Sequence, residues 1–163
     1  WHLRGNWAPV QDEIVETELL VEGVIPPQLE GVYIRTGPNP KSGSSPHWFM
    51  GDGMVHGVRL SQGNAAWYRN RFVQTPNITD DVSSQTVDVS DLSRGSANTH
   101  VVAHAGKILC LEEGHWPWEI DSNLNTVGYE NFSGNLKTSM TGNAEQVTTA
   151  GGTPLGYGTY PIS

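Results

Sequence analysis

The stretch VHGVRLSQGNAAWYRNRFV, residues 55–73, decides the fold. Two runs, 55–60 and 65–73, mix Val, Leu, Trp, Tyr and Phe with polar residues and flank the polar turn Ser61-Gln62-Gly63-Asn64. β-Branched and aromatic side chains suit a pleated, half-buried surface, and a glycine-containing turn between two such runs marks a hairpin. The same arrangement recurs where residues 100–104 and 107–113 flank Ala105-Gly106, and where Trp118-Glu119-Ile120 leads into Asp121-Ser122-Asn123. Upstream, Val32-Tyr33-Ile34-Arg35 reads as a strand that ends at Gly37-Pro38-Asn39-Pro40, where two prolines remove backbone donors and force a turn. Repeated hairpins, with 19 glycines and 10 prolines scattered among them, predict an all-β chain. A sandwich, a barrel and propeller blades all satisfy that pattern. Residues 75–95, rich in Asp, Ser and Thr, read as a long surface loop.

Length and composition limit the function classes. A 163-residue chain that is 36% hydrophobic supports a modest core. A formal charge of −8 disfavours nucleic acid, whose binding rests on cationic contacts to phosphate. Cys110, the single cysteine, lies in the apolar run Lys107-Ile108-Leu109-Cys110-Leu111 and reads as a buried small hydrophobe. No apolar run approaches the ~18 residues of a membrane span, which predicts a soluble, cytoplasmic protein that touches membrane at most peripherally. The chain opens on Trp1, so its natural start is expected to be missing.

The six histidines invite a metal reading. His100 and His104 are four apart, as in a helical zinc motif, but Val101 stands where the catalytic glutamate belongs and the segment reads as a strand. Period two would put both rings on one sheet face. Asp121-Ser122-Asn123-Leu124-Asn125 alternates oxygen donors like the start of a calcium loop, yet the glycine such a loop needs at its sixth position falls at Gly128, the eighth. Neither a nucleophile elbow nor a phosphate loop is present.

Four blocks taken together resemble a known family: GNWAPV (5–10), VEGVIPPQLEGVYIRTGPNP (21–40), HWFMGDGMVHGVRL (47–60) and AAWYRNRFVQT (65–75). NTHVVAHAGKILCLEEG (98–114) and NTVGYENFSGNLKTSMT (125–141) continue the series in the same order. The chain is thereby identified as similar to the amino-terminal part of the carotenoid cleavage oxygenases, which include apocarotenoid, lignostilbene and retinoid-isomerising enzymes. The resemblance implies a seven-bladed β-propeller, of which residues 1–163 would form the first blades only. It implies a non-haem Fe(II) held by four histidines, and O2-dependent cleavage of a conjugated carbon–carbon double bond in a carotenoid, apocarotenoid or stilbene. Neutral imidazoles suit Fe(II), and carboxylates that accept their other ring N–H orient them.

Carried over residue by residue, the resemblance assigns one such carboxylate to Glu113, counted back from Pro117-Trp118-Glu119, in contrast to a solvent-facing strand-end carboxylate such as Glu112. His2, His47, His56, His100, His104 and His115 match no iron-ligand position, and Trp48 and Phe49 are read as packing residues rather than substrate walls. The family's first iron histidine belongs in SMTGNA (139–144), but Asn143 occupies its place. An amide oxygen is a poor substitute for imidazole at Fe(II). Gly156-Tyr157-Gly158 then restores the pattern, so the divergence is local. The 163-residue chain alone is therefore expected to bind no iron and to be inactive, its function being that of a longer dioxygenase. The alternative is a truncated or decayed, non-catalytic member that binds an apolar ligand or a partner.

Overall fold

The computed structural model describes residues 2–80, 90–142, 145–148 and 154–158, the last two groups as strand backbone. After a single 3-10 turn at Gly5–Trp7 come β1 (Val15–Glu16), β2 (Gly31–Asn39), β3 (Asp52–Ser61) and β4 (Asn64–Phe72). These make an antiparallel sheet in the order β1-β4-β3-β2. A one-turn helix, α1 (Pro76–Thr79), precedes a second antiparallel sheet of β5 (His100–His104), β6 (Lys107–Leu111), β7 (Trp118–Ile120) and β8 (Thr126–Tyr129), paired in chain order. β9 (Glu145–Thr148) and β10 (Pro154–Gly158) form a separate antiparallel pair.

The hairpin of residues 55–73 is tighter than expected. Ser61 pairs with Asn64, leaving only Gln62 and Gly63 in the turn, with φ of 50° and 78°. Two successive positive φ values give the turn whose twist matches that of the strands it joins. Ala105 and Gly106, at 49° and 79°, close β5 onto β6 in the same way. β2 departs from expectation: it does not stop at Gly37-Pro38 but runs on to Asn39, with Pro38 opposite Gly53. β2 is the outermost strand of its sheet, a position where a missing N–H removes no ladder bond. β6 is shorter than expected and ends at Leu111. Of the surface loop expected at 75–95, residues 81–89 lie outside the described residues; its described beginning is α1, whose buried Ile78 joins Met54 and Phe72.

The main core lies between the two sheets. Val55 of the first sheet and Val73, just past β4, meet Cys110, Trp118 and Ile120 of the second sheet, with Ala97 and Leu124 of its flanking loops. The opposite face of the second sheet buries Val102, Leu109 and Leu111 against Phe132 and Met140. Polar bonds lock the seam where the sheets join: Gly53 N–H donates to the Ser96 carbonyl at 2.8 Å, and the Thr36 hydroxyl lies 3.2 Å from the Ala97 carbonyl. The segment before β1 is strapped across the first sheet by side-chain amides. Asn39 exchanges two 2.7 Å bonds with the Val10 backbone, and buried Asn70 accepts from Ile14 N–H at 2.7 Å while donating to the Asp12 carbonyl at 2.9 Å. This strap explains β1, whose two exposed residues carry no sequence signal for a strand.

Candidate functional site

At the seam between the sheets, the Trp48-Phe49-Met50-Gly51 loop, the Thr36-Gly37-Pro38 part of β2, the connection through Asn98 and Thr99, and the end of the second hairpin enclose a cavity of about 490 Å³. Its wall combines aromatic and aliphatic groups with two carboxylates, Glu112 and Glu113. The loop is held by its backbone. Asn98 Nδ2 donates to the carbonyls of Gly51 (2.8 Å) and Phe49 (3.2 Å), and the buried Ser45 hydroxyl lies 2.6 Å from the Met50 carbonyl. Trp48 packs edge-on against Trp7 with centroids 4.6 Å apart, and it also lines the cavity. Phe49 is 71% exposed and lies on the cavity, its ring meeting that of His47 edge to face with centroids 5.2 Å apart.

Two acidic neighbours have different environments. The Thr141 hydroxyl donates to Glu113 Oε2 at 3.1 Å, and a Cβ added to Gly142 would stand 3.0 Å from Oε1. The fold thus places the carboxylate of Glu113 against the residues that immediately precede Asn143, 30 positions along the chain. Asn143 itself lies outside the described residues. Glu112 is not the solvent-facing carboxylate expected of it. It accepts from Gly114 N–H at 2.7 Å and is paired with Nδ1 of His115, which is only 3% exposed. The His115 carbonyl in turn accepts from Met140 N–H at 3.1 Å. The Glu-x-x-His spacing was the available signal for this pair, and it carries no weight until the chain is seen to turn there.

The histidines do not converge. His2 Nε2 lies 3.0 Å from the Ser45 carbonyl, His47 Nδ1 accepts from Phe49 N–H at 3.2 Å, and His56 Nδ1 lies 2.8 Å from the Tyr68 hydroxyl. Burial, and secondarily the Arg35 guanidinium, hold the His56 imidazole below its ordinary pKa of 6.5. His100 and His104 occupy alternate positions of β5, on one face, and His104 meets the Phe132 edge with centroids 6.1 Å apart. Among the described residues no three His, Cys, Asp or Glu side chains gather closely enough to hold a metal ion. At Asp121 burial opposes ionisation, but hydrogen bonds from Asn125 and Asn123 prevail and hold the carboxyl below its usual range. Both amide N–H bonds are 2.8 Å, so the candidate calcium loop is the turn that joins β7 to β8. Cys110 is fully buried in the seam, where burial pushes its thiol up to about 12.

Comparison with known proteins extends this picture. The family model RPE65, retinal pigment epithelial membrane protein, matches residues 7–153. A carotenoid cleavage oxygenase of Mycobacterium tuberculosis is 41% identical over 153 residues, an alignment covering 89% of this chain and 30% of that protein. The crystal structure of Pseudomonas brassicacearum lignostilbene dioxygenase superposes with a TM-score of 0.74 at 27% identity, covering 89% of this chain and 34% of the other. Cobalt-substituted Synechocystis ACO superposes with a TM-score of 0.71 at 25% identity, covering 90% of this chain and 36% of the other. The chain spans about a third of the length of the proteins it matches.

Proposed function

Because the chain belongs to the retinal pigment epithelial membrane protein family, together with carotenoid cleavage oxygenases, we propose that it forms part of an Fe(II) dioxygenase. Its two four-stranded sheets are blades of an incomplete β-propeller. The proposed reaction is the cleavage by O2 of a conjugated double bond in a carotenoid, apocarotenoid or stilbene, giving two carbonyl products.

The observation that carries this reading is the cavity at the seam, where Trp48 and Phe49 offer apolar wall and Glu113 stands beside Thr141-Gly142. Aromatic side chains supply large contact area for a flat, conjugated body. The described histidines do not fit an iron shell, since they lie apart and each with a separate environment. The described residues therefore form no iron centre, and the 163-residue chain by itself is proposed to be inactive. Iron, when bound in a complete shell, supplies O2 activation; what this part contributes toward it is Glu113, as an acceptor for the outward ring N–H of one imidazole. An apolar substrate of this kind partitions into membranes, so a cytoplasmic site of action at a membrane surface belongs to the same proposal. No helix among the described residues is long and apolar enough to cross a membrane.

The complete polypeptide, supplied with Fe(II), O2 and either an apocarotenoid or a stilbene, is expected to release two carbonyl products with matching O2 uptake. Failure with both of these and with a carotenoid overturns the oxygenase reading. In the same polypeptide Glu113→Gln is expected to lower iron occupancy, measured by metal analysis, by about 10-fold or more; unchanged occupancy refutes the role given to Glu113. A second reading, a non-catalytic member that binds the apolar ligand, is favoured by Asn143 at the histidine position. Its signature is binding of the same substrates without O2 consumption.

A further inference from the structure

A second cavity, of about 360 Å³, lies on the first sheet beneath the amino-terminal segment that contains Trp7. Arg35 of β2 and His56 of β3 are cross-strand partners and both line it. Side chains alternate along a strand, so these two occupy the face opposite Ile34 and Val55, which enter the main core. The pocket has a cationic floor and an apolar cover. Trp7 and Trp48 lie over it edge to face, Val10 and Pro38 close its sides, and none of its lining side chains is acidic although the chain carries a formal charge of −8.

Arg35 is exposed, and its guanidinium makes no hydrogen bond or ion pair with any other described residue. Its neighbours explain little of its presence there. A guanidinium opposite a half-buried imidazole raises the cost of protonating that ring, so the pair does not stabilise itself. In the neutral tautomer whose Nδ1 accepts from the Tyr68 O–H, 2.8 Å away, the His56 ring carries its proton on Nε2 and offers that N–H as a donor. An arginine fork and an imidazole N–H are a matched donor set for a planar carboxylate, and the adjoining indoles suit an apolar body.

We propose that this cavity binds the carboxylate of an apolar acid, with Arg35 as the ion-pair partner, His56 as a second donor, and Trp7 and Trp48 covering the apolar portion. The site does not depend on the oxygenase reading, because its charged residues lie on the opposite face of the sheet from the seam cavity; the two share only part of their wall, including Trp48 and Met50.

Dodecanoate and uncharged dodecanol distinguish charge recognition from simple apolar binding, with the full chain titrated by calorimetry. Dodecanoate is expected to bind on the order of 10-fold or more tighter than dodecanol, the magnitude of a charge-assisted hydrogen-bonded pair. Arg35→Gln is expected to abolish that preference, Arg35→Lys to retain part of it, and Phe49→Ala, which alters only the seam cavity, to leave it intact. By NMR, saturating dodecanoate is expected to raise the His56 pKa, because the added negative charge offsets Arg35. Equal affinity for acid and alcohol, an undiminished preference in Arg35→Gln, its loss in Phe49→Ala, or an unmoved His56 titration each overturns the proposal.

Discussion

Replacing Gly53 with alanine is expected to destabilise the chain by about 3 kcal/mol or more, the upper range for overpacking a closed site. A Cβ at this position would stand 2.4 Å from the Ala97 carbonyl oxygen and 2.6 Å from that of Ser96. Neither oxygen is free to withdraw. Ser96 O accepts the Gly53 N–H at 2.8 Å, and Ala97 is buried, with φ of 53°. The added methyl therefore meets backbone rather than a movable side chain, at the point where the first sheet is pinned to the second. Gly37→Ala is the control, since a Cβ there meets nothing within 4 Å. Denaturant unfolding curves for the two variants check the prediction; a Gly53→Ala loss below about 1 kcal/mol would place the clash within what ordinary relaxation absorbs.

Leu124→Ala is expected to cost about 2–5 kcal/mol, the range for truncating a fully buried leucine. Leu124 is buried completely, and its Cδ1 lies 3.1 Å from where a Cβ on Gly57 would be. It thus reaches from the β7-β8 turn across the seam onto β3. Its φ of 67° is held by the turn itself, where Leu124 N–H donates to the Asp121 carbonyl at 3.0 Å. Thermal unfolding followed by tryptophan fluorescence and by far-UV circular dichroism tests the linkage between sheets. Loss of coincidence between the two signals is expected in this variant, and a change under about 1 kcal/mol with coincident signals would refute a shared core.

The parts of the fold that were readable in the sequence are the local ones. Gln62-Gly63 and Ala105-Gly106 carry their turn chemistry in neighbouring residues, so both hairpins were found and only their loop lengths shifted. β2 was cut short because Pro38 is tolerated only by virtue of its edge position, a property of the sheet rather than of the residue. β1 was missed because buried Asn70, more than fifty positions later, holds it in place. The site divides the same way. The ordered blocks pointed to Glu113, which is exposed and accepts from the Thr141 hydroxyl. The exposure of Phe49 and the pairing of Glu112 with His115 depend on long-range contacts that residue spacing does not encode. Asn143 lies outside the described residues.

Cys110 gives the seam a use that its burial conceals. A thiol reacts as its thiolate, and this one is both fully covered and pushed up to about 12, so the closed molecule presents almost no nucleophile. Thiol-specific alkylation at Cys110 must then pass through an opened state in which β6 has parted from the first sheet. As the sole cysteine, Cys110 converts the rate of labelling into a free energy for separating one blade from the next, with no probe to be introduced.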